Sequence, residues 1–433
     1  MKKFVQRSVL GLTVIFLAVI GATLSLSKLE RSNSGVHTRL LVPLLGLASA
    51  KVAIHSGTGD STVIKGLLDG PVVKIGADQS WSATWFCEQR AHRKILKGPA
   101  LTIECAGKSS SFALAAPLPA APGVTPMPEK LLILSDIEGN IAYLDGALRK
   151  LAVVDAGGAW AFGANRLVIA GDSVDRGRDV FAVLWRLHSL SMQATAVGGR
   201  LDVLIGNHEQ YILRGNISRA HPEHVYALEQ MGGVASAFAS DTVLGAWLRQ
   251  QPVIVKVGDV LVTHGGVSPT VAKLGLTVDQ LNAASATYWR HGTAAKAALD
   301  AVFGIDGVTQ YRGYFMALPD TYPKATDADV DHVLQAFAVK TIVVGHTIVE
   351  KITGLYGDRV YAVDVNSNTA EPQALMFVHG TPTVLDTGTP RALPDEKQAA
   401  TLRRLDLFSG ADWRTLARLV RRSYQLSQLP HPY

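Results

Sequence analysis

The chain has 433 residues, 48% of them apolar and only 18% charged, against roughly 25% charged in ordinary soluble domains. That excludes a disordered chain, and two cysteines exclude both a disulfide-dense scaffold and a four-cysteine zinc module. The formal net charge of +6 is confined to the ends: residues 1–50 hold six basic residues against Glu30, and residues 395–433 hold seven against four acids, so the body is slightly acidic and no nucleic-acid partner is expected.

In chain order, Lys2, Lys3 and Arg7 precede an uncharged apolar run from Val9 to Leu26. As a helix, these residues reach about 27 Å, near the hydrocarbon thickness of a bilayer. Basic residues ahead of the run favour leaving that end in the cytoplasm and exporting the rest. A second apolar stretch, Leu40 to Leu47, ends in Ala48-Ser49-Ala50, which resembles a signal-peptidase site. Residues 1–50 therefore read as an inner-membrane anchor facing the periplasm, or as a cleaved signal segment of a periplasmic or secreted protein.

Residues 51–114 alternate in places and are cut by Gly and polar residues, as in Leu101-Thr102-Ile103-Glu104, which reads as a small β-rich domain. Cys87 and Cys105 fit an exported chain, and in an oxidising compartment they are expected to pair. Residues 115–128 carry Pro117, Pro119, Pro122, Pro126 and Pro128 among alanines, an extended linker.

From residue 129 to about 394 the grammar changes. Short apolar strands end abruptly in Asp, Gly, Asn or His, and amphipathic helices follow. Leu131–Leu134, Leu167–Ala170 and Val203–Ile205 read as strands, with helices after the first two, the β-α-β-α-β order of an α/β domain with parallel strands. Further strands are expected at Val260–Thr263, Thr341–Val344 and Val360–Val363. Residues 395–433 read as a helical segment whose arginines form a solvated face over a packed apolar stripe.

The polar residues at the strand ends carry the chemistry. They are Asp136 and Glu138; Asp172, Asp175 and Arg176; Asn207 and His208; His264; and His346. Side chains at the carboxyl ends of parallel strands converge on one crevice. Carboxylate, amide and imidazole donors without sulfur suit hard or borderline divalent metals.

The motifs Gly171-Asp172-Ser173-Val174-Asp175-Arg176-Gly177, Gly206-Asn207-His208-Glu209, His264-Gly265-Gly266 and Val344-Gly345-His346-Thr347 occur in that order. With them, residues 131–364 resemble the calcineurin-like metallophosphoesterases, and more narrowly the phosphoprotein phosphatases. Val344-Gly345-His346-Thr347 and Tyr311-Arg312-Gly313-Tyr314 are similar to the Shewanella-like bacterial branch. The resemblance implies a two-sheet β-sandwich flanked by helices, here preceded by the small β-rich domain. It implies two divalent metal ions, Mn foremost, with Fe, Zn or Mg also compatible. Asp136, Glu138 and Asp172 would hold one ion, and Asp172, Asn207, His264 and His346 the other. A metal-bridging hydroxide would attack a phosphoric monoester, Arg176 and Arg312 would grip the phosphoryl oxygens, and His208, oriented by Asp175, would protonate the leaving oxygen.

One departure stands out. Glu138 occupies the place where that family usually carries a histidine, which makes the first site harder and more negative. The substrate expectation is a phosphoprotein. Hydrolysis of nucleotides such as dinucleoside polyphosphates is the alternative, and a membrane-tethered pseudo-phosphatase that binds phosphate or a partner is the non-enzymatic one. Asp364 and Asn366, which follow a strand, read as turn residues, and Glu209 as a support for His208.

Overall fold

A computed structural model of the chain describes residues 2–31, 38–44, 47–56, 66–76, 80–115, 121–367, 369–389 and 401–427. The chain divides into two compact units, the first formed by residues 1–63 and 394–429, the second by 64–393 with the last four residues.

The first unit combines both ends of the sequence. Strand Thr401–Arg404 pairs antiparallel with Lys28–Arg31, which pairs with Thr38–Leu44, which pairs with Leu47–Ser56. Leu29, Leu40, Leu405 and Leu419 form a small core, flanked by Leu24, Val42, Leu407 and Leu416. Leu416 and Leu419 belong to the C-terminal helix Gly410–Ser427 and Leu24 to the N-terminal helix Lys2–Leu26. Strand Leu47–Ser56 thus takes in the start of the stretch read as the small β-rich domain. The N-terminal run is helical, but among the described residues no helix is long and apolar enough to cross a membrane. The expected membrane-crossing helix is therefore not supported. Residues 395–400 and 428–433, read as part of the C-terminal helical segment, lie outside the described residues, as do residues 116–120 of the proline-rich linker.

The second unit is a β-sandwich between helices. One sheet runs Arg200–Val203, Arg166–Ile169, Lys130–Leu134, Gln373–Val378, Thr381–Asp386, and its first three strands are mutually parallel. The other runs Gly354–Leu355, Val360–Ala362, Thr341–Val344, Val260–Thr263, Ile254–Val257, Val124–Thr125. In it the strands Val260–Thr263, Thr341–Val344 and Val360–Ala362 are parallel. Strand Val124–Thr125 shows that the last part of the linker is sheet edge. The inner strands, such as Leu131–Leu134, Leu167–Ile169 and Val260–Val262, are apolar because both of their faces are covered. Leu131, Ile133 and Val168 meet Val255, Val262 and Val343 between the sheets. Their neighbours Leu132, Leu134, Leu167 and Ile169 face the opposite way and join the core beneath helices Ile141–Lys150 and Val180–Ala196. The first of these helices starts at Asn140, whose side chain accepts from the Tyr143 amide at 3.0 Å, and ends on Arg149 and Lys150, matching the helix dipole.

Strands Leu68–Ile75, Trp81–Cys87 and Arg90–Leu96 form a three-stranded antiparallel sheet, followed by the hairpin Ala100–Cys105 and Lys108–Ala113. Val72, Val73, Ala83, Phe86, Leu101 and Ile103 run into the same core as helix Val180–Ala196. Trp185 Nε1 donates to the Pro71 carbonyl at 2.9 Å, and His224 Nδ1 meets Asp69 Oδ2 at 2.6 Å, both buried. Trp81 and Trp85 pack against this core. A disulfide joins Cys87 to Cys105, 18 residues apart, with a Cα–Cα distance of 5.8 Å. Replacing both cysteines by serine is expected to lower stability by about 3 kcal/mol, read as a drop in the denaturation midpoint that dithiothreitol reproduces in the parent chain.

His188 lies in this core between Trp185 and Trp247, with ring centroids at 5.6 and 5.5 Å. Neither of its nitrogens has a hydrogen-bond partner among the described residues. Burial pulls its pKa down to about 4 from an ordinary 6.5. The unfolded chain therefore takes up a proton that the folded chain refuses. The penalty is absent above pH 6.5 and grows as pH falls toward 4, reaching about 3 kcal/mol. His188→Leu is expected to flatten that part of the stability–pH curve in urea titrations.

Candidate active site

Every expected site residue of the sandwich lies just past the carboxyl end of a parallel strand, except Arg312, which a loop supplies. The first sheet contributes Asp136 and Glu138 after Lys130–Leu134, Asp172 to Arg176 after Arg166–Ile169, and Asn207 and His208 after Arg200–Val203. The second contributes His264 after Val260–Thr263 and His346 after Thr341–Val344. All the carboxylates, Asn207 and the three histidines are buried.

The backbone is strained where these side chains turn inward. Asp136, Glu138, Asp172, Asp175, Arg176 and His346 all have φ between 50° and 67°, a left-handed conformation that costs non-glycine residues of order 1–3 kcal/mol each. Glycines open the remaining space. A Cβ on Gly171, whose φ is +91°, would stand 2.4 Å from His264 Nδ1, and one on Gly206 would stand 2.2 Å from Asp172 Oδ1. Gly171→Ala is therefore expected to cost about 2 kcal/mol or more and to displace the His264 ring, measurable as a lower thermal midpoint together with lower metal content.

Two clusters have ligand atoms within 4.8 Å of one another: Asp172, His264 and His346, and Glu138, Asp172 and His208. Asp172 belongs to both. His264 Nε2 faces Asp172 Oδ2 at 3.1 Å and Asn207 Oδ1 at 3.0 Å. On its other side, His264 Nδ1 donates to the Ala170 carbonyl at 2.8 Å, which turns Nε2 toward the site. Asp136 falls in neither cluster. One of its oxygens accepts from Ser135 Oγ and, at 3.1 Å, from the His346 amide. Glu138 is doubly engaged. Its Oε1 pairs with Arg176 Nε at 3.0 Å, and its Oε2 accepts from Asn366 Nδ2. The structure thus puts the variant carboxylate in contact with one of the two arginines expected to hold phosphate.

His208 Nδ1 meets Asp175 Oδ2 at 3.0 Å, and its Nε2 lies 3.7 Å from Asp172 Oδ2. Arg312 donates to the His346 carbonyl at 2.5 Å. Glu209 does more than support its neighbour. Its carboxylate accepts from the amides of Asp172 at 3.0 Å, Ser173 at 2.7 Å and Gly206 at 2.8 Å, bracing two loops.

The electrostatics are those of a cation site. Burial opposes charge on Asp172, but His264 and His208 hold its carboxyl well below the usual range. Burial, then Asp364, pushes Asp136 well up, with Asp172 and Glu138 adding to it. Burial and then Asp172 raise Glu209 to about 7. Burial alone would lower His208 and His264, yet the surrounding carboxylates hold them at about 9 and 10. Buried acids that repel one another beside imidazoles aimed at them form a donor set suited to divalent cations.

These groups open into a cavity of about 300 Å³ lined by Asp136, Asp172, His208, His346 and three arginines, Arg176, Arg219 and Arg312. Tyr211 and Arg219, from the loop after Asn207, line it too. Arg214 and His221 from that loop do not. Arg214 stacks over Trp289 at 5.3 Å, and His221 caps helix Pro222–Gln230. Asp364, read from sequence as a turn residue, is buried at the cavity wall, and Asn366 holds Glu138. The signal that could have found them is their position directly after strand Val360–Ala362, the same placement the other site residues share.

This sandwich with metal-suited ligands at its strand ends is the architecture of the calcineurin-like phosphoesterases. Residues 129–350, half of the chain, match that family's sequence profile, and the chain belongs to it. It is similar to the cold-active protein-tyrosine phosphatase of a psychrophilic Shewanella species, 32% identical over 74% of this chain and 100% of that one, with a TM-score of 0.63. It is also similar to Shewanella-like protein phosphatase 1 of Plasmodium berghei, 24% identical over 221 residues, 50% of this chain and 61% of that one. Shewanella-like protein phosphatase 2 of Arabidopsis thaliana matches at 29% over 89 residues, 21% of this chain and 23% of that protein. The chain spans less than two thirds of the length of these two curated relatives.

Proposed function

We propose that the chain is a metal-dependent phosphatase of phosphoric monoesters, with phosphoproteins as its substrate class, working in an extracytoplasmic compartment. The observation that carries the reading is the convergence of Asp172, His264 and His346 beside the His208–Asp175 pair, in a cavity walled by three arginines. Asp136, Glu138 and Asp172 would hold one divalent cation, and Asp172, Asn207, His264 and His346 a second, Mn being the metal we favour for the harder first set. Cations held there supply Lewis acidity and lower the pKa of bound water.

The protein's own groups do the rest. Arg176 and Arg312 offer planar forks that fit the non-bridging phosphoryl oxygens and offset charge developing on them. The buried Asp175 carboxylate accepts from His208 Nδ1, which orients the ring and leaves Nε2–H to give a proton to the departing oxygen. The Glu209 brace fixes the loops that carry Asp172 and Asn207. The phosphoprotein assignment draws on the names of the Shewanella-like relatives, and the compartment on the disulfide, a bond that persists in oxidising surroundings.

The test is hydrolysis of phosphopeptides, p-nitrophenyl phosphate and diadenosine tetraphosphate by purified protein, after chelation and after return of Mn, Mg, Zn or Fe. Phosphopeptide turnover that is lost with chelator and restored best by Mn is expected. Turnover of the dinucleotide alone would assign the site to nucleotides instead, and no turnover of any substrate with any metal would leave a binding protein.

A further inference from the structure

The C-terminal helix Gly410–Ser427 carries two apolar stripes, and only one is packed. Leu416 and Leu419 face the small core of the first unit. At 3.6 residues per turn, Trp413, Ala417, Val420 and Tyr424 fall within about 60° of arc, roughly a quarter-turn from the packed stripe. Trp413 is 47% exposed, Val420 53% and Tyr424 65%. Arg414 and Arg421 border this second stripe and are also exposed. The helix is held in this rotation by its first turn. The buried Asp412 carboxylate takes both ends of the Arg403 guanidinium and, at 2.9 Å, the Asp406 amide. Trp413 Nε1 donates to the Leu407 carbonyl at 2.7 Å, which fixes the loop whose next residue, Phe408, is wholly exposed.

We propose that this face is a docking surface for an anionic lipid surface, with Phe408 and Trp413 entering the headgroup region and Arg414 and Arg421 meeting lipid phosphates. Aromatic side chains beside arginines on one face of an amphipathic helix suit a membrane interface, where apolar area and charge attraction act together. Residues 401–427 hold six arginines against Asp406 and Asp412, so an anionic surface is the complement. The same unit exposes a second apolar run, including Val14, Ile15, Phe16 and Leu17 of its N-terminal helix. A lipid phase takes up both patches, whereas a single protein partner would need a surface shaped to each.

The experiment is flotation of the full chain with phosphatidylcholine vesicles, with and without one third phosphatidylglycerol, at low and high salt. Expected is binding that favours the anionic vesicles and weakens with salt. Arg414→Glu with Arg421→Glu should lower anionic-vesicle affinity about 30-fold or more. Phe408→Ser with Val420→Ser should weaken binding at both salt concentrations. Phosphatase activity and the thermal midpoint should stay at parent values in both variants. Equal binding to both kinds of vesicle, an unchanged preference in the charge-reversed variant, or association of the chain with itself that the serine variant abolishes would overturn the proposal.

Discussion

Asp172→Asn is expected to remove turnover and to strip divalent metal from the protein while leaving the fold intact. The substitution keeps shape and removes one negative charge. That charge sits at the centre of the site: Asp172 Oδ2 lies 3.1 Å from His264 Nε2 and 3.7 Å from His208 Nε2, and Asp172 Oδ1 accepts from the His208 amide at 3.0 Å. It is also the residue common to both ligand clusters. The loss should exceed the about 10–100-fold that removing an outer partner of a ligand brings. Elemental analysis of the purified variant and its urea midpoint separate loss of metal from loss of fold. Full turnover in Asp172→Asn would sink the reading of the site.

His208→Asn should separate binding from proton delivery. Its imidazole is held by Asp175 at 3.0 Å and kept protonated to about pH 9 by Asp172 and Asp175 against the pull of burial. A group poised this way serves as an acid, worth about 10² to 10⁴ in rate. The loss should depend on the leaving group. Phosphoserine peptides, whose alkoxide needs the proton, should slow by that factor, while p-nitrophenyl phosphate, whose phenolate leaves unaided, should slow far less. Equal losses on the two substrates would assign His208 to positioning or to metal binding instead. Metal content should stay at the parent level, in contrast to Asp172→Asn.

The fold and most of the site are legible in the sequence for one physical reason. Each ligand follows its strand within a few residues, so the signal is local: four apolar residues, then Asp, Asn or His beside a glycine. Gly171 and Gly206 are legible as glycines because a Cβ at either would collide with the site itself. Asp364 and Asn366 obey the same rule, but a single Asp after a strand carries the same signature as an ordinary turn, and only the fold shows it beside Asp136. The ion pair of Glu138 with Arg176 was not legible, because it joins two motifs that sequence reading treats separately. Nor was the first unit. Lys28–Arg31 is a polar tetrapeptide with no strand pattern, and its partner Thr401–Arg404 lies about 370 residues away. The second stripe of the C-terminal helix was hidden because Leu416 and Leu419 already satisfied the expected packing pattern.

That distant pairing sets an order of events. During synthesis, the strand Lys28–Arg31 emerges ahead of residues 64–393 of the second unit, while Thr401–Arg404, Leu405 and Leu419 emerge after them. The first unit can close its sheet and core only after residue 419 has emerged. The second unit, whose strands lie within residues 68–386, has all of them in hand before then. Until then the growing chain carries an open sheet edge and an exposed apolar helix, the combination that invites mispairing and calls for a chaperone. Availability of every strand of the second unit and completion of the first are separate milestones, reached in that sequence.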